Sequence, residues 1–120
     1  MNRTAKRKAW RFGLGAELRA KWVLRLKGYR ILETRFKTPV GEIDLIARKG
    51  RLLVFVEVKG RSTKITETPV TRHQMRRITN ASALYMQSNE TLSSFDVRYD
   101  VILIEPGRWP THMIDAWSPD

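Results

Sequence analysis

Within residues 41 to 61, GEIDLIARKGRLLVFVEVKGR, three carboxylates and a lysine interrupt two apolar runs: Glu42, Asp44, Glu57 and Lys59. Both runs have the length and β-branched content of strands, and the segment around Lys49 and Gly50 reads as a tight hairpin turn. A two- or four-residue connection centred there pairs positions whose numbers sum to 99, so that Glu42 faces Glu57 and Asp44 faces Phe55. Side chains alternate along a strand, so Glu42, Asp44, Leu53, Phe55, Glu57 and Lys59 are expected on one face and Leu52, Val54, Val56 and Val58 on the other. Asp44 and Glu57 then form a diagonal pair. We expect Asp44, Glu57 and Lys59 to converge in one solvent-open cleft on the face bearing Phe55.

Such a constellation suits a hard cation. Two carboxylates about 5 Å apart at an effective dielectric near 20 repel by roughly 3 kcal/mol. An exposed salt bridge returns only about 0 to 1 kcal/mol, so Lys59, Arg61 or Arg48 offsets only part of this. A divalent cation with oxygen ligands offsets it fully, and a site with coordination left for water and phosphate describes Mg²⁺ or Mn²⁺. The competing reading of the same residues is a solvated, salt-bridged sheet face. With no cysteine and only His73 and His112, thiolate and histidine-rich zinc sites are excluded as expectations.

The charge points to a polyanion. Of 120 residues, 23 are Lys or Arg and 12 are Asp or Glu, a net +11, and the first thirty residues hold ten basic side chains and one acid, Glu17. Nucleic acid is the expected partner, bound through phosphate contacts by Lys6, Arg7, Lys8 and Arg11 and by Arg61, Arg72, Arg76 and Arg77. No apolar stretch has the roughly 20 residues that cross a bilayer. A cytoplasmic chain that does not bind membranes is expected; the Arg-rich start also fits a transit peptide, but it leads into a helix whose apolar faces a core needs. A homodimer is left open.

The elements that must position these residues follow from periodicity. A helix is expected from about Lys6 to Lys27, with Ala16, Ala20, Val23 and Leu24 on one arc, a second stripe of Leu14, Leu18 and Trp22, and Gly28 as its stop. YRILETRFK reads as a strand and TPVG as the turn into the hairpin. A second helix runs from Thr71 to about Ser88, with Met75, Ile78, Ser82 and Tyr85 at helical spacing and Thr71 and Gln74 as a capping box. VRYDVILIE and HMIDAW supply two last strands. The expectation is one α/β domain spanning 1–120, with residues 1–8 as a basic arm.

Asp44, twelve residues, then Glu57-Val58-Lys59 resembles the PD-(D/E)-x-K signature of the restriction-endonuclease-like superfamily. GEIDLIA, VFVEVKGR, GAE with KGYRIL, YDVILI and HMIDAW follow in the order of the YraN-like family, over residues from about 13 to 117. The resemblance implies a three-layer α/β/α fold with a mixed central sheet, similar to archaeal Holliday-junction resolvases. It also implies a Mg²⁺-dependent endonuclease acting on DNA, including branched DNA. It assigns Asp44 and Glu57 as metal ligands and Lys59 as the group that polarises or deprotonates the attacking water. Glu17 matches a helix acid of the family, against an i, i+4 pair with Lys21. Glu42 belongs to GEID. Gln74 matches a polar helix position that orients water or contacts phosphate, against its role in the capping box. Ile43 replaces the motif's proline, and the usual lysine near Gln74 is absent. His112 and Asp100 match later motifs and are read as structural. The alternative is a non-catalytic basic nucleic-acid-binding module on the same fold, or a scaffold protein; DNA against RNA stays open.

Overall fold

The computed structural model describes residues 3–60 and 70–119, with side chains of the first segment described from residue 15 onward. Helix α1 (Arg3–Leu26) is followed by three antiparallel strands, β1 (Arg30–Thr38), β2 (Gly41–Lys49) and β3 (Leu52–Gly60). Helix α2 (Arg72–Gln87), a short 3-10 turn (Glu90–Leu92), β4 (Asp96–Ile104) and β5 (Thr111–Trp117) complete the chain. The strands lie side by side in sequence order, and only β3 and β4 run parallel. A parallel neighbour needs a crossover, and α2 lies within it.

Two separate cores make this a three-layer α/β/α domain. On one face Ala16, Ala20, Val23 and Leu24 of α1 pack on Leu45, Ala47, Val54, Val56, Ile102 and Ile104. On the other, Ile78, Ala81 and Tyr85 of α2 cover Ile46, Leu53, Phe55, Tyr99 and Val101. Alternation along β3 therefore fills both cores, as a central strand covered on both faces requires. Phe55 stacks on Tyr99 and Tyr99 on Trp117, with centroids 5.6 and 5.2 Å apart. α1 takes in residues 3–8, the stretch expected as an arm. Among the described residues no helix is long and apolar enough to cross a membrane.

The hairpin register differs from the expected one. Lys49 pairs with Leu52 and Leu45 with Val56, so paired numbers sum to 101 and the turn residues are Gly50 and Arg51. Gly50, at φ +60°, takes the first central position of a two-residue turn, the place where such hairpins need glycine. The shift of two in the sum preserves parity. It brings Asp44 opposite Glu57 on continuation by one pair, where the sequence had suggested Phe55. Gly41 shows a second steric demand: a Cβ there would lie 2.1 Å from the Arg77 carbonyl oxygen, so β2 begins hard against α2.

Candidate functional site

The β2–β3 ladder ends at Leu45 and Val56. Beyond it the strands part, and Asp44 Oδ2 accepts a hydrogen bond from the Val58 backbone N–H at 2.8 Å. The side chain thus takes a place that a β2 carbonyl would fill in a continuing ladder. The twist of β2 explains how. Ile43 packs with Ile46, Leu53 and Phe55, although strict alternation would turn Ile43 and Ile46 to opposite faces. The strand rotates between them, and Asp44 is turned toward β3.

Asp44, Glu57 and Lys59 come together where β2 and β3 part, with Asp44 turned by the rotation of β2 toward the Val58 N–H. Phe55 itself is fully buried in the core beneath α2, and the site opens beyond the last β2–β3 pair, Leu45 and Val56. There Asp44 lines a hollow of about 280 Å³ with Arg35, Lys37, Glu42 and Ile43. Lys59 Nζ lies 3.4 Å from Glu57 Oε1, and the two side chains are 21 and 15 % exposed. Burial raises the Asp44 carboxyl, offset in part by the Val58 N–H and by Lys59. Burial, then the neighbouring Asp44 charge, pushes Glu57 up to about 7, again offset in part by Lys59. The site holds more negative charge than one lysine neutralises.

Glu17 is close enough for its charge to raise Asp44, yet its own partner is Arg35, at 3.0 Å, rather than Lys21. Arg35 stands opposite Asp44 between the pairs Thr34↔Leu45 and Phe36↔Ile43. It adopts φ +54° in a strand whose ladder is irregular nearby. Arg35 and Lys37 are candidate phosphate contacts that the sequence reading passed over. The register implied by the TPVG turn would have found Arg35. Glu42 is exposed on the rim of the hollow.

Gln74 does not join this group. Its backbone N–H donates to Thr71 Oγ1 at 3.1 Å and its Oε1 accepts from the Thr71 N–H at 3.0 Å, so its amide closes the capping box. Arg72, Arg76 and Arg77 are exposed on α2. Lys6, Arg7, Lys8, Arg11 and Arg61, together with Leu14 of the second stripe, lie outside the described side chains.

Asp100 and His112 form a different, buried cluster. Asp100 is fully buried, accepts both Arg98 Nε and Nη2 at 2.8 Å, and receives the Asp115 N–H at 3.0 Å. His112 Nε2 lies 2.7 Å from Asp100 and its Nδ1 lies 2.8 Å from Lys27 Nζ. A carboxylate accepts and an ammonium donates, which makes Nε2–H the donor to Asp100. Arg98 also donates to the Tyr29 hydroxyl at 2.7 Å. This network ties the α1–β1 connection, β4 and β5 together.

A divalent cation can be tested against these residues by donor chemistry. Among the described residues no group of three or more acidic or imidazole side chains stands close enough to hold one. Asp44 and Glu57 fit as a two-carboxylate set for a hard cation that keeps the rest of its shell in water and phosphate oxygens.

The family model described as "Uncharacterised protein family UPF0102" matches residues 16–104. The chain belongs to this family. It is the family to which the YraN-like resemblance points. A UPF0102 protein of Parvibaculum lavamentivorans is 48 % identical over 113 residues, covering 92 % of this chain and 84 % of the relative. UPF0102 proteins of Nitrobacter winogradskyi and a Chelativorans species are 46 and 45 % identical, covering 92 and 97 % of this chain and 94 % of each relative. The matched segment contains Glu17, Asp44, Glu57, Lys59 and Asp100.

Proposed function

We propose that this chain is a metal-dependent nuclease that hydrolyses phosphodiester bonds in DNA. The observation that carries the reading is the Asp44–Glu57 pair: two partly buried carboxyls with raised pKa and one lysine beside Glu57, where β2 and β3 part. Asp44 and Glu57 would hold Mg²⁺ or Mn²⁺, which when bound supplies Lewis-acid charge to a phosphoryl oxygen. Val58 N–H orients Asp44, and Glu57 holds Lys59 beside it. From there Lys59 steers the proton of the attacking water and stabilises charge that develops on the phosphate as the P–O bond to the leaving sugar breaks. Arg35 and Lys37, on the neighbouring strand, hold the backbone phosphates in register. Glu17 keeps Arg35 in place.

Purified protein should cut at least one of nicked, flapped, four-way-junction and single-stranded DNA with Mg²⁺ or Mn²⁺, and chelator should stop it. Asp44→Asn and Glu57→Gln should each abolish cutting and weaken Mg²⁺ or Mn²⁺ binding in calorimetry. Lys59→Ala should keep metal and DNA affinity and lose turnover by roughly 10²-fold or more, as for general acid–base groups. Substrates bound but left intact with both metals would refute the nuclease. A non-catalytic nucleic-acid-binding module would take its place, a reading favoured by the exposed Arg72, Arg76 and Arg77 and by the two-membered carboxylate set.

A further inference from the structure

The carboxylate site makes no use of two exposed tryptophans. Leu18, Trp22 and Leu26 recur every four residues on the side of α1 turned away from the sheet, and are 54, 55 and 70 % exposed. Trp109, 77 % exposed, stands on the connection between β4 and β5. Trp22 and Trp109 line one groove of about 300 Å³ with Leu26, Pro110, Arg19 and Arg108. Arg25 adds a third guanidinium, 5.9 Å from the centre of the Trp22 ring. Among the described residues no carboxylate lines the groove.

Position and charge together select the occupant. β3 and β4 run parallel with Lys59 beside Leu103 and Gly60 beside Ile104, so the connection that leaves β4 after Ile104 emerges at the same end of the sheet as Lys59. A second copy of this chain would bring Arg19, Arg25 and Arg108 against a like-charged surface carrying +11 overall. A base-paired duplex keeps its base faces stacked and gives the indoles nothing flat to cover. An unpaired nucleotide strand offers both exposed π-faces and a phosphate per residue, which match two indoles rimmed by guanidinium groups.

We propose that the groove between α1 and the β4–β5 connection is a stacking platform for unpaired nucleotides. It takes a single-stranded segment adjoining the phosphate addressed by Asp44 and Glu57. The location relative to the scissile phosphate rests on the nuclease reading; the stacking itself requires no turnover.

Binding in chelator separates the two. Fluorescence anisotropy would compare labelled oligothymidylate, a splayed-arm fork and a blunt duplex. Trp22→Ala and Trp109→Ala should each weaken the first two by roughly 5- to 100-fold and leave the duplex within about 2-fold, with Phe at either position retaining most of the affinity. Arg108→Glu should also weaken oligothymidylate selectively, in a variant whose exposed site leaves the fold intact by circular dichroism. Unchanged binding of oligothymidylate by all three variants, or equal losses on duplex and single strand, would overturn the platform. So would Trp109-dependent binding of a Glu- and Leu-rich peptide by a protein that ignores oligothymidylate. Tryptophan-dependent binding without cleavage of any substrate would keep the platform and remove the nuclease. Cleavage that persists while oligothymidylate binding is indifferent to both tryptophans would do the reverse.

Discussion

Asp100 and the Asp44–Glu57 pair are both carboxylate sites withdrawn from water, and the fold treats them in opposite ways. Burial alone would raise the Asp100 carboxyl, but hydrogen bonds from His112, Arg98 and the Asp115 N–H outweigh it and hold it at about 2. Almost level with it on the adjacent strand, where Val56 pairs with Asp100 and Glu57 with Val101, burial and mutual repulsion prevail over one lysine and one backbone N–H, and Glu57 reaches about 7. A buried charge with all its donors present is a structural clamp, whereas one left short of positive charge is poised for a ligand that brings it. Asp44, Glu57 and Asp100 all lie within the segment matched by the family model, so membership does not tell the carboxylates apart. The count of donors does.

The largest effect should come from breaking the satisfied site. Asp100→Asn leaves Arg98, His112 and the Asp115 N–H around a neutral group that cannot accept from all of them, and should cost about 3–5 kcal/mol in chemical denaturation. In the native protein, Asp100 titrates below its ordinary value of 3.8, so its stabilisation is full above about pH 4 and fades as pH falls toward 2. An unfolding midpoint that ignores both the substitution and this acid window would contradict the clamp.

Relieving the unsatisfied site should act in the opposite direction. Glu57 is raised from 4.5 to about 7, so folding bears no penalty from it below pH 4.5, loses stability as pH rises through that interval, and bears the full penalty above 7. Glu57→Gln should therefore stabilise the metal-free protein at pH 8 by on the order of 1–3 kcal/mol, and by nothing near pH 4.5. Thermal unfolding in chelator at the two pH values reads this directly. A variant less stable than the parent at pH 8 would mean that the pair is adequately neutralised.

The smallest effect tests the neighbour that both readings of Glu17 overlooked. Arg35 is nearly half exposed in its pair with Glu17, so Arg35→Ala should change stability by less than about 1 kcal/mol. Removing one phosphate contact should also reduce the slope of log affinity for DNA against log salt by about 1. A loss of several kcal/mol would recast Arg35 as part of a structural clamp like that of Arg98.

Local rules carried far into the molecule. The Thr71–Gln74 capping box, both helix cores and the strand runs follow from spacing, because caps and amphipathic faces are decided within a turn or two of chain. The hairpin shows why even a misplaced turn does limited damage. Moving its centre from Lys49 and Gly50 to Gly50 and Arg51 changes every partner but no face, since side-chain direction depends on parity alone. The partner of Glu17 was not readable in the same way, because the i, i+4 neighbour Lys21 competes with an arginine eighteen residues away on a strand.

By itself, the sequence determined that Asp44, Glu57 and Lys59 would meet, that a basic chain would lay two helices on a sheet, and that Asp100 and His112 would serve the fold. Only the tertiary structure decided where the three meet. The rotation of β2 between Ile43 and Ile46 turns Asp44 onto the Val58 N–H, and α2 covers the face that alternation alone would have left open. Twist and layer packing are set by contacts between distant elements, and pairwise alternation along one strand contains no term for them.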